Sequence, residues 1–373
     1  MKYIVVFSSS GFALINFRGS LIRLMVQQGH NVTCMAPDFS TSQKSWLTDL
    51  GATPVDISLK RADSSLFALV VEYVRLKSEV QKHVPDVLLT FFAKPNILGG
   101  FLARRLRIER FVPMVEGLGY AFGMEQTNVR KTLVKLCLVC LYRLAFQSAK
   151  HVIFLNNTDR AEFENLKICH SSVSKTLGPI GVQIKNFPIR QKYPEKVTFI
   201  LCARMIVEKG VREFAAAAKI ILEEYPETEF HLLGDVDDNP LSLTRNEINT
   251  WVSAGILKWH GHVDVVPYLY KASVFVLPTY YREGVPRSVQ EAMAAAMPVI
   301  TTKIPGCEEL VKHEETGVLI NQRDVSALVA GMILFLENPD RVSQMGKKAR
   351  LFAERYLDSE TIDQRLFEHL FSE

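Results

Sequence analysis

The stretch KYIVVFSSSGFALINFRGSLIRLMVQQGHNVTCMAPD, residues 2–38, predicts the fold of the first half of the chain. An apolar run that ends in small residues, 2–10, is followed by a helical pattern and then by a second apolar run, 31–38. This order of strand, loop, helix and strand is typical of a doubly wound parallel sheet. The ligand crevice of such a sheet lies at the carboxyl ends of its strands.

The same rhythm continues along the chain and restarts once. Short β-rich runs recur as DVLLTFF (86–92) and HVIFLNN (151–157), and later as VTFILCAR (197–204) and SVFVLPT (273–279). Between the two series, prolines and glycines interrupt the stretch GPIGVQIKNFPIRQKYP, 178–194, and exclude regular structure there. We therefore predict an α/β fold with two doubly wound, Rossmann-like domains that face each other across a cleft.

The predicted domain boundaries follow from this interruption. The first domain is predicted to comprise residues 1–180 and the second domain residues 197–350. Residues 181–196 form the linker between them. The charged helical stretch 351–373 is predicted to pack back on the first domain. A length of 373 residues fits two domains, because single cores stop growing at about 250 to 300 residues.

Composition and charge exclude several classes of protein. The chain is 48% hydrophobic and 23% charged, an ordinary globular balance that excludes extensive disorder. A formal net charge of +4 is too small to indicate a nucleic-acid partner. No segment reaches the roughly 18 apolar residues that a membrane span requires, and the N-terminus opens on a strand pattern rather than a signal peptide. We expect a cytoplasmic protein.

Basic residues are nevertheless concentrated in two places, the short stretch 104–110 and the apolar helical stretch KTLVKLCLVCLYRLAF at 131–146. A helix with a wide apolar face and basic flanks can lie on an anionic membrane surface, which here is the inner face of the cytoplasmic membrane. The alternative is a solvated helix face. The basic residues concerned are Arg104, Arg105, Arg107, Arg110, Arg130, Lys131, Lys135 and Arg143.

The cysteines give no metal or disulfide pattern. Cys137 and Cys140 form a C-x-x-C, but this spacing inside an apolar helical run places two small side chains on one helix face. We expect reduced core residues with no redox or metal role. The six are Cys34, Cys137, Cys140, Cys169, Cys202 and Cys307.

The densest polar pattern lies at 278–310, where seven residues separate Glu283 from Glu291. Gly284 allows a close approach of the backbone, and Pro286 and Arg287 stand where a helix would begin. The start of a helix offers unpaired N–H groups and a positive dipole to phosphate or sugar oxygens. Taken alone, two such glutamates are typical of a solvated helix face.

A basic pair changes this interpretation. The strand pattern at 197–204 ends in Arg204, and Lys209 follows five residues later, before Gly210. Two positive charges at a strand end are suited to a diphosphate. Together with the two carboxylates and the helix start, they match the parts of a nucleotide-sugar.

These residues resemble the motif of the retaining glycosyltransferase family 4, of GT-B fold. The family's E-x7-E stands here as EGVPRSVQE, with R-x4-K upstream and the tail GCEEL downstream, and the likeness extends to NFRGSLIRL and VEGLGYAF. The resemblance implies that Arg204 and Lys209 stabilise the leaving diphosphate, that Glu283 orients the donor sugar and that Glu291 holds the ribose. The donor would also contact the segment Gly284, Val285 and Pro286.

The resemblance also implies the substrates. The donor would be a UDP-linked hexose or N-acetylhexosamine, bound by the second domain without a metal ion or other cofactor. The acceptor would be a saccharide carried on polyprenyl diphosphate, as in bacterial surface-polysaccharide assembly. The alternatives are a nucleotide-sugar 2-epimerase of the same fold and a non-catalytic subunit of an assembly complex.

The first domain contains the candidate acceptor residues. Glu116 stands where many relatives carry a histidine, so it binds an acceptor hydroxyl, acts as a base or is structural. The family's glycine-rich loop is reduced here to Gly11, a weaker candidate for a donor phosphate contact. A diphosphate acceptor requires cations, and four polar residues at strand ends or on the first helix are candidates, the alternative being solvated loop residues. They are Asn16, Arg18, Lys94 and Asn96.

One acidic cluster resembles a metal site. The sequence DVDD, 235–238, is similar to the metal motif of another glycosyltransferase fold, but it follows a strand of the second domain. A single acidic cluster without further ligands is a weak magnesium site. We predict no metal ion there.

Overall fold

A computed structural model of the chain describes residues 1–59, 66–119, 122, 129–236 and 241–372. These residues form two units, one made of 1–180 with 359–373 and the other of 181–358. The interrupted segment 181–196 therefore lies in the second unit, and the last helix lies in the first.

The described part of the first unit contains a parallel sheet of seven strands in the order β3-β2-β1-β4-β5-β6-β7. The order reverses between β1 and β4, which places a crevice at the carboxyl ends of these two strands. The strands are β1 (Tyr3–Phe7), β2 (Asn31–Ala36), β3 (Thr53–Asp56), β4 (Val87–Phe91), β5 (Arg110–Val115), β6 (Val152–Phe154) and β7 (Ser174–Thr176).

Helices cover this sheet, and its central strands are buried on both faces. Val6, Leu89 and Val112 are fully buried, as expected for a parallel sheet between helical layers. The helices are α1 (Gly11–Gln27), α2 (Thr41–Leu50), α3 (Leu66–His83), α4 (Ala93–Leu106), α5 (Val129–Ala145), α6 (Asn157–Asn165) and, from the end of the chain, α14 (Ser359–Phe371).

Helix α14 packs on α1. The ring of Phe371 stacks on His30, just after α1, with the ring centroids 5.0 Å apart. Arg110 donates to the carbonyl of Ser372 over 2.7 Å, which fastens the residue after α14 to β5. The end of the described chain is thereby held against the first unit.

The second unit repeats the design with a parallel sheet whose described strands number six, in the order β10-β9-β8-β11-β12-β13. Its switch point lies between β8 and β11. The strands are β8 (Thr198–Cys202), β9 (Glu229–Leu233), β10 (Lys258–Trp259), β11 (Val274–Leu277), β12 (Val299–Thr302) and β13 (Gly317–Ile320). The helices are α7 (Val211–Glu224), α8 (Arg245–Ser253), α9 (Val266–Lys271), α10 (Arg287–Ala294), α11 (Pro305–Glu308), α12 (Val325–Glu337) and α13 (Asp340–Tyr356).

The prediction of two doubly wound parallel sheets is confirmed. Within the residues described above, no helix is both long enough and apolar enough to cross a membrane. The cysteine prediction holds only in part, because Cys34 and Cys307 are buried whereas Cys137 and Cys140 are exposed on α5. The expectation that the C-x-x-C pair lies in a core is therefore wrong.

Candidate active site

The switch point of the second unit is built on a tight turn after β8. Arg204 follows the strand, and a 3-10 helix, Val207–Lys209, carries the chain into α7. Gly210 closes this turn with φ +75°, and a Cβ atom there would lie 2.2 Å from the carbonyl oxygen of Pro278. Glycine is required at this position, since any side chain would push the turn away from the end of β11.

Lys209 and Glu283 form an ion pair at this edge of the sheet. Their side chains are only 13% and 11% exposed, so the pair is largely desolvated. The Thr279 hydroxyl lies 3.4 Å from the same carboxylate oxygen, and the Lys209 ammonium lies 5.4 Å from the centre of the Tyr281 ring. Carboxylate and ammonium therefore occupy fixed positions where a substrate can meet both.

The backbone of Glu208 holds the loop after β11. Its carbonyl accepts hydrogen bonds from the Tyr280 amide over 2.8 Å, the Tyr281 amide over 3.1 Å and the Thr279 hydroxyl over 3.0 Å. The loops after β8 and β11 are thereby joined. The sequence motif gave no sign of this role for Thr279 and Tyr281.

Arg204 is exposed, and its side chain hydrogen-bonds the Tyr281 hydroxyl. Burial raises the pKa of this phenol, with a further contribution from Glu283, so Tyr281 stays neutral at physiological pH. Arg204 and Lys209 thus converge on one tyrosine. Two cations around a neutral hydroxyl are suited to bind a diphosphate.

Helix α10 begins at Arg287, as predicted, with Pro286 at its N-cap. No side chain of the described residues caps its first turn, so the start of the helix keeps the N–H groups and positive dipole that favour an anion. One turn into the helix, Glu291 accepts a hydrogen bond from the Arg287 side chain over 2.9 Å. This ion pair fixes the second glutamate of the motif.

The segment between the two glutamates is buried and packs against Gly306. Gly284, Val285 and Pro286 are buried, so they offer a ligand mainly their backbone. A Cβ atom on Gly306 would lie 2.3 Å from the carbonyl oxygen of Gly284. Gly306 is a site residue that the motif did not reveal, although it stands in the downstream GCEEL tail.

The two thiols near the carboxylates are not nucleophiles. Burial raises the pKa of Cys202 to about 12, with a further contribution from Glu291. Burial likewise raises the pKa of Cys307 to about 12. Both remain protonated at neutral pH, which excludes a reactive thiolate at these positions.

At the corresponding edge of the first unit, Gly11 is buried and already bonded. Its amide donates to the Asp38 carboxylate over 2.5 Å, and a Cβ atom there would lie 2.6 Å from the Phe39 ring. Ser10 caps the same helix by accepting from the Ala13 amide. A donor phosphate contact at Gly11 stays a prediction, and it would require the Asp38 contact to change.

Arg18 and Glu116 form the main charged pair of this edge. Arg18 is 1% exposed and Glu116 is 10% exposed. The guanidinium also lies 3.2 Å from the Met114 sulfur and 4.8 Å from the centre of the Phe91 ring. Its Nε and Nη1 atoms have no hydrogen-bond partner among the described residues. The interpretation of Arg18 as a solvated charge is therefore wrong.

The remaining candidates differ in accessibility. Asn16 is exposed on α1. Lys94 pairs with Glu72 over 2.7 Å and is 14% exposed. Asn96 is 1% exposed, and its side chain joins β4 to β5 by accepting from Thr90 over 2.6 Å and donating to the Met114 carbonyl over 2.8 Å. Because both ends of the Asn96 amide are occupied inside the fold, a structural role explains this residue better than acceptor contact.

The acidic cluster resembles no metal site in its described part. Asp235 accepts two hydrogen bonds from Arg245, at 2.8 and 2.9 Å, and Asp237 and Asp238 lie outside the described residues. The described ranges contain no group of three metal-ligating side chains.

Comparison with known proteins finds a glycosyltransferase family model that matches each unit. Residues 196–338 match the family described as Glycosyl transferases group 1, and residues 5–156 match the family described as Glycosyl transferase 4-like. The chain is 30% identical to the Escherichia coli UDP-Gal:alpha-D-GlcNAc-diphosphoundecaprenol alpha-1,3-galactosyltransferase, over 74% of this chain and 71% of that protein.

Two further comparisons span almost the whole chain. The Campylobacter jejuni N,N'-diacetylbacillosaminyl-diphospho-undecaprenol alpha-1,3-N-acetylgalactosaminyltransferase is 26% identical over 96% of this chain and 95% of its own length. Among solved structures, Anabaena Alr3699/HepE in complex with UDP and glucose superposes with a TM-score of 0.79 at 17% identity and covers all of both chains. The resemblance carried by the EGVPRSVQE motif is thus confirmed, and the chain is a glycosyltransferase that belongs to family 4, with the GT-B fold.

Proposed function

We propose that this glycosyltransferase moves a hexose or N-acetylhexosamine from UDP to a saccharide on polyprenyl diphosphate, with retention of anomeric configuration. The observation that carries the proposal is the Lys209–Glu283 pair beside Arg204, at the switch point of the second unit. A UDP donor and a diphosphoundecaprenol acceptor are named for the E. coli relative, and a diphospho-undecaprenol acceptor for the C. jejuni relative.

In this mechanism the second unit binds the donor. Arg204 and Lys209 neutralise the charge that develops on UDP as the bond between the sugar C1 and the diphosphate oxygen breaks. The acceptor hydroxyl forms the new bond to C1 on the same face, and its proton passes to the departing diphosphate. Fixed charges in a largely desolvated site are effective here because they need no reorganisation during the reaction.

The two glutamates have different roles. Glu283, held by Lys209 and Thr279, accepts hydrogen bonds from the donor sugar hydroxyls and fixes the orientation of C1. Glu291, held by Arg287, accepts from the ribose hydroxyls. The first-turn N–H groups of α10 and the backbone of Gly284 bind donor oxygens.

The first unit binds the acceptor. Glu116 receives an acceptor hydroxyl, and Arg18 keeps its carboxylate in one orientation from inside the fold. Asn16 is exposed on the first helix at the same unit and supplies a further polar contact. Lys94 is already paired with Glu72 and therefore contributes less than Glu116 and Asn16 to acceptor binding. The enzyme acts at the inner face of the cytoplasmic membrane.

The test is acceptor-dependent release of UDP. Purified protein is incubated with a panel of UDP-sugars, with and without a polyprenyl diphosphate-linked saccharide in detergent, and mass spectrometry follows UDP and product. We expect one donor to give UDP only when acceptor is present, and we expect this release to survive EDTA. Consumption of donor without acceptor, giving an epimerised sugar nucleotide, would contradict the proposal, as would activity that EDTA abolishes.

A further inference from the structure

An apolar groove opens on the first unit between α3, α4 and α5. It encloses a volume of about 810 Å³. Apolar side chains from all three helices line it, among them Leu69, Tyr73, Ile97, Phe101 and Leu141. Nothing in the proposed reaction uses this groove.

Three arginines lie at one end of the groove. Arg104, Arg105 and Arg107 line it together, all three are exposed, and none forms an ion pair with a carboxylate among the described residues. Arg104 donates to the Gln147 side chain over 3.1 Å, a neutral partner. Cations at the end of a helix are favoured by its dipole, but the dipole does not account for the apolar groove beside them.

The other basic residues of this region are already engaged. Lys135 pairs with Glu162 over 3.2 Å, and Arg143 donates to the Leu166 carbonyl over 2.9 Å through its Nε. The extension of these two side chains towards lipid head groups stays a prediction, and the side chains of Arg130 and Lys131 lie outside the described residues. Among the basic side chains of this region that the structure describes, the three arginines at the groove have no carboxylate partner.

The surface next to the groove is also apolar. Val70 and Val74 on α3 are each 61% exposed, and Leu133 and Leu144 on α5 are 61% and 47% exposed. Leu133, Cys137, Cys140 and Leu144 fall on one face of α5, because they recur at helical spacing. Apolar patches with a basic rim mark sites of contact with other molecules or with membranes.

We propose that this groove takes an acyl chain of an anionic membrane phospholipid, whose phosphate is bound by Arg104, Arg105 and Arg107. Stable attachment to a membrane takes two signals, such as an apolar contact together with a basic patch. The groove and the three arginines supply the two signals together. The inference deepens the proposed function, on which it rests for the presence of a membrane-borne acceptor.

The position of the arginines favours a phospholipid over the tail of the acceptor. Helix α4 begins directly after β4, at the carboxyl edge of the sheet where Glu116 lies, and its 14 residues carry the chain about 20 Å to the opposite edge. The arginines lie at that far end. An acceptor with its diphosphate on the arginines and its chain in the groove would therefore direct its saccharide away from Glu116.

Vesicle binding without donor or acceptor tests the proposal separately from the reaction. We expect the full chain to sediment with phosphatidylglycerol-containing vesicles and not with pure phosphatidylcholine vesicles. Arg105→Glu/Arg107→Glu should weaken binding at least about 25-fold, since each basic residue near an anionic surface contributes roughly fivefold. The matched variant Lys347→Glu/Lys348→Glu, on the exposed face of α13 in the second unit, should bind within about twofold of the unchanged chain.

Entry of the chain into the groove has its own readout. In Phe101→Trp, vesicles that carry brominated acyl chains should quench the added fluorescence, measured against the unchanged chain with its three tryptophans. Val70→Asp should weaken binding, whereas Leu351→Asp, equally exposed on α13, should not. Equal binding to both kinds of vesicle, an unaffected arginine variant, absent quenching, or binding that requires polyprenyl phosphate would each overturn the proposal.

The catalytic reaction gives the control. Turnover of a water-soluble acceptor without a lipid chain should be the same in Arg105→Glu/Arg107→Glu as in the unchanged chain. If the unchanged chain binds the vesicles but transfers no sugar, the proposed function fails and the lipid site stands. If transfer proceeds but the arginine variant still binds anionic vesicles normally, the lipid site fails and the proposed function stands.

Discussion

The proposed reaction uses a nearly buried pair of a cation and a glutamate in each unit, Arg18–Glu116 in the first and Lys209–Glu283 in the second, and the two pairs differ in their surroundings. Lys209 and Glu283 are 13% and 11% exposed and have Thr279 and Tyr281 as polar and aromatic neighbours. Arg18, at 1% exposed, lies against the Phe91 ring with two nitrogens that lack a hydrogen-bond partner among the described residues.

The two pairs also differ in how the chain brings their residues together. The donor pair joins two adjacent loops that the Glu208 carbonyl already holds together. The acceptor pair joins residues 98 positions apart, and the cation comes from inside the fold. A charge buried behind its partner positions that partner, whereas a charge at the loop edge is available to a substrate. We therefore expect the Arg18–Glu116 pair to matter most for stability and the Lys209–Glu283 pair to matter most for turnover.

The largest expected effect is on the stability of the first unit. Glu116→Ala leaves the Arg18 guanidinium buried without its carboxylate, and breaking such a pair costs about 3–5 kcal/mol. Urea unfolding followed by Trp46 fluorescence, in a Trp251→Phe/Trp259→Phe background, measures this loss in the first unit.

The double variant Arg18→Leu/Glu116→Leu gives the control for that measurement. Replacing both charges with apolar side chains removes the unpaired charge and should recover most of the lost stability. A change of less than about 0.5 kcal/mol in Glu116→Ala would show that Arg18 does not depend on this carboxylate.

The second effect is on turnover in the second unit. Glu283→Gln keeps the shape of the side chain and its hydrogen bond with Lys209 but removes the charge. We expect turnover to fall by about 10²–10³, equivalent to roughly 2–4 kcal/mol of transition-state stabilisation. The free energy of unfolding should change less in Glu283→Gln than in Glu116→Ala, and the reverse ranking would contradict the assignment of stability to Arg18–Glu116 and of turnover to Lys209–Glu283.

The smallest effect concerns the packing of Gly306 against the backbone of Gly284. Gly306→Ala forces a Cβ atom against the Gly284 carbonyl oxygen, and such overpacking costs about 1–3 kcal/mol. We expect weaker UDP binding in a calorimetric titration. Gly100→Ala is the matched control, since its Cβ atom would lie 2.3 Å from the Ala145 carbonyl oxygen in the first unit. It should lower stability without changing the affinity for UDP.

The sequence predicts those features that depend on local patterns. The repeated strand and helix runs predict both sheets, and the start of α10 at Arg287 follows from the proline and glycine before it. The spacing of Arg204, Lys209, Glu283 and Glu291 places all four at strand or helix ends of one sheet. These features follow from neighbours along the chain, so a single sequence contains the information.

Features that depend on tertiary packing could not be predicted. The sequence gives no sign that Arg18 is buried behind Glu116, because the contact requires α1 and the end of β5 to meet. Asn96 resembles a loop ligand until β4 and β5 are side by side and occupy its amide. Gly306 acquires its role only when its backbone approaches Gly284.

The turnover of Arg204→Ala is the most direct test of the donor site, because this exposed arginine is assigned to the departing diphosphate. With saturating UDP-sugar and acceptor, we expect the rate of UDP release to fall by about 10²–10³ in Arg204→Ala, while Lys219→Ala, exposed on α7, stays within about twofold of the unchanged chain. Near-normal turnover in Arg204→Ala would contradict the assignment of the diphosphate to this edge of the second unit.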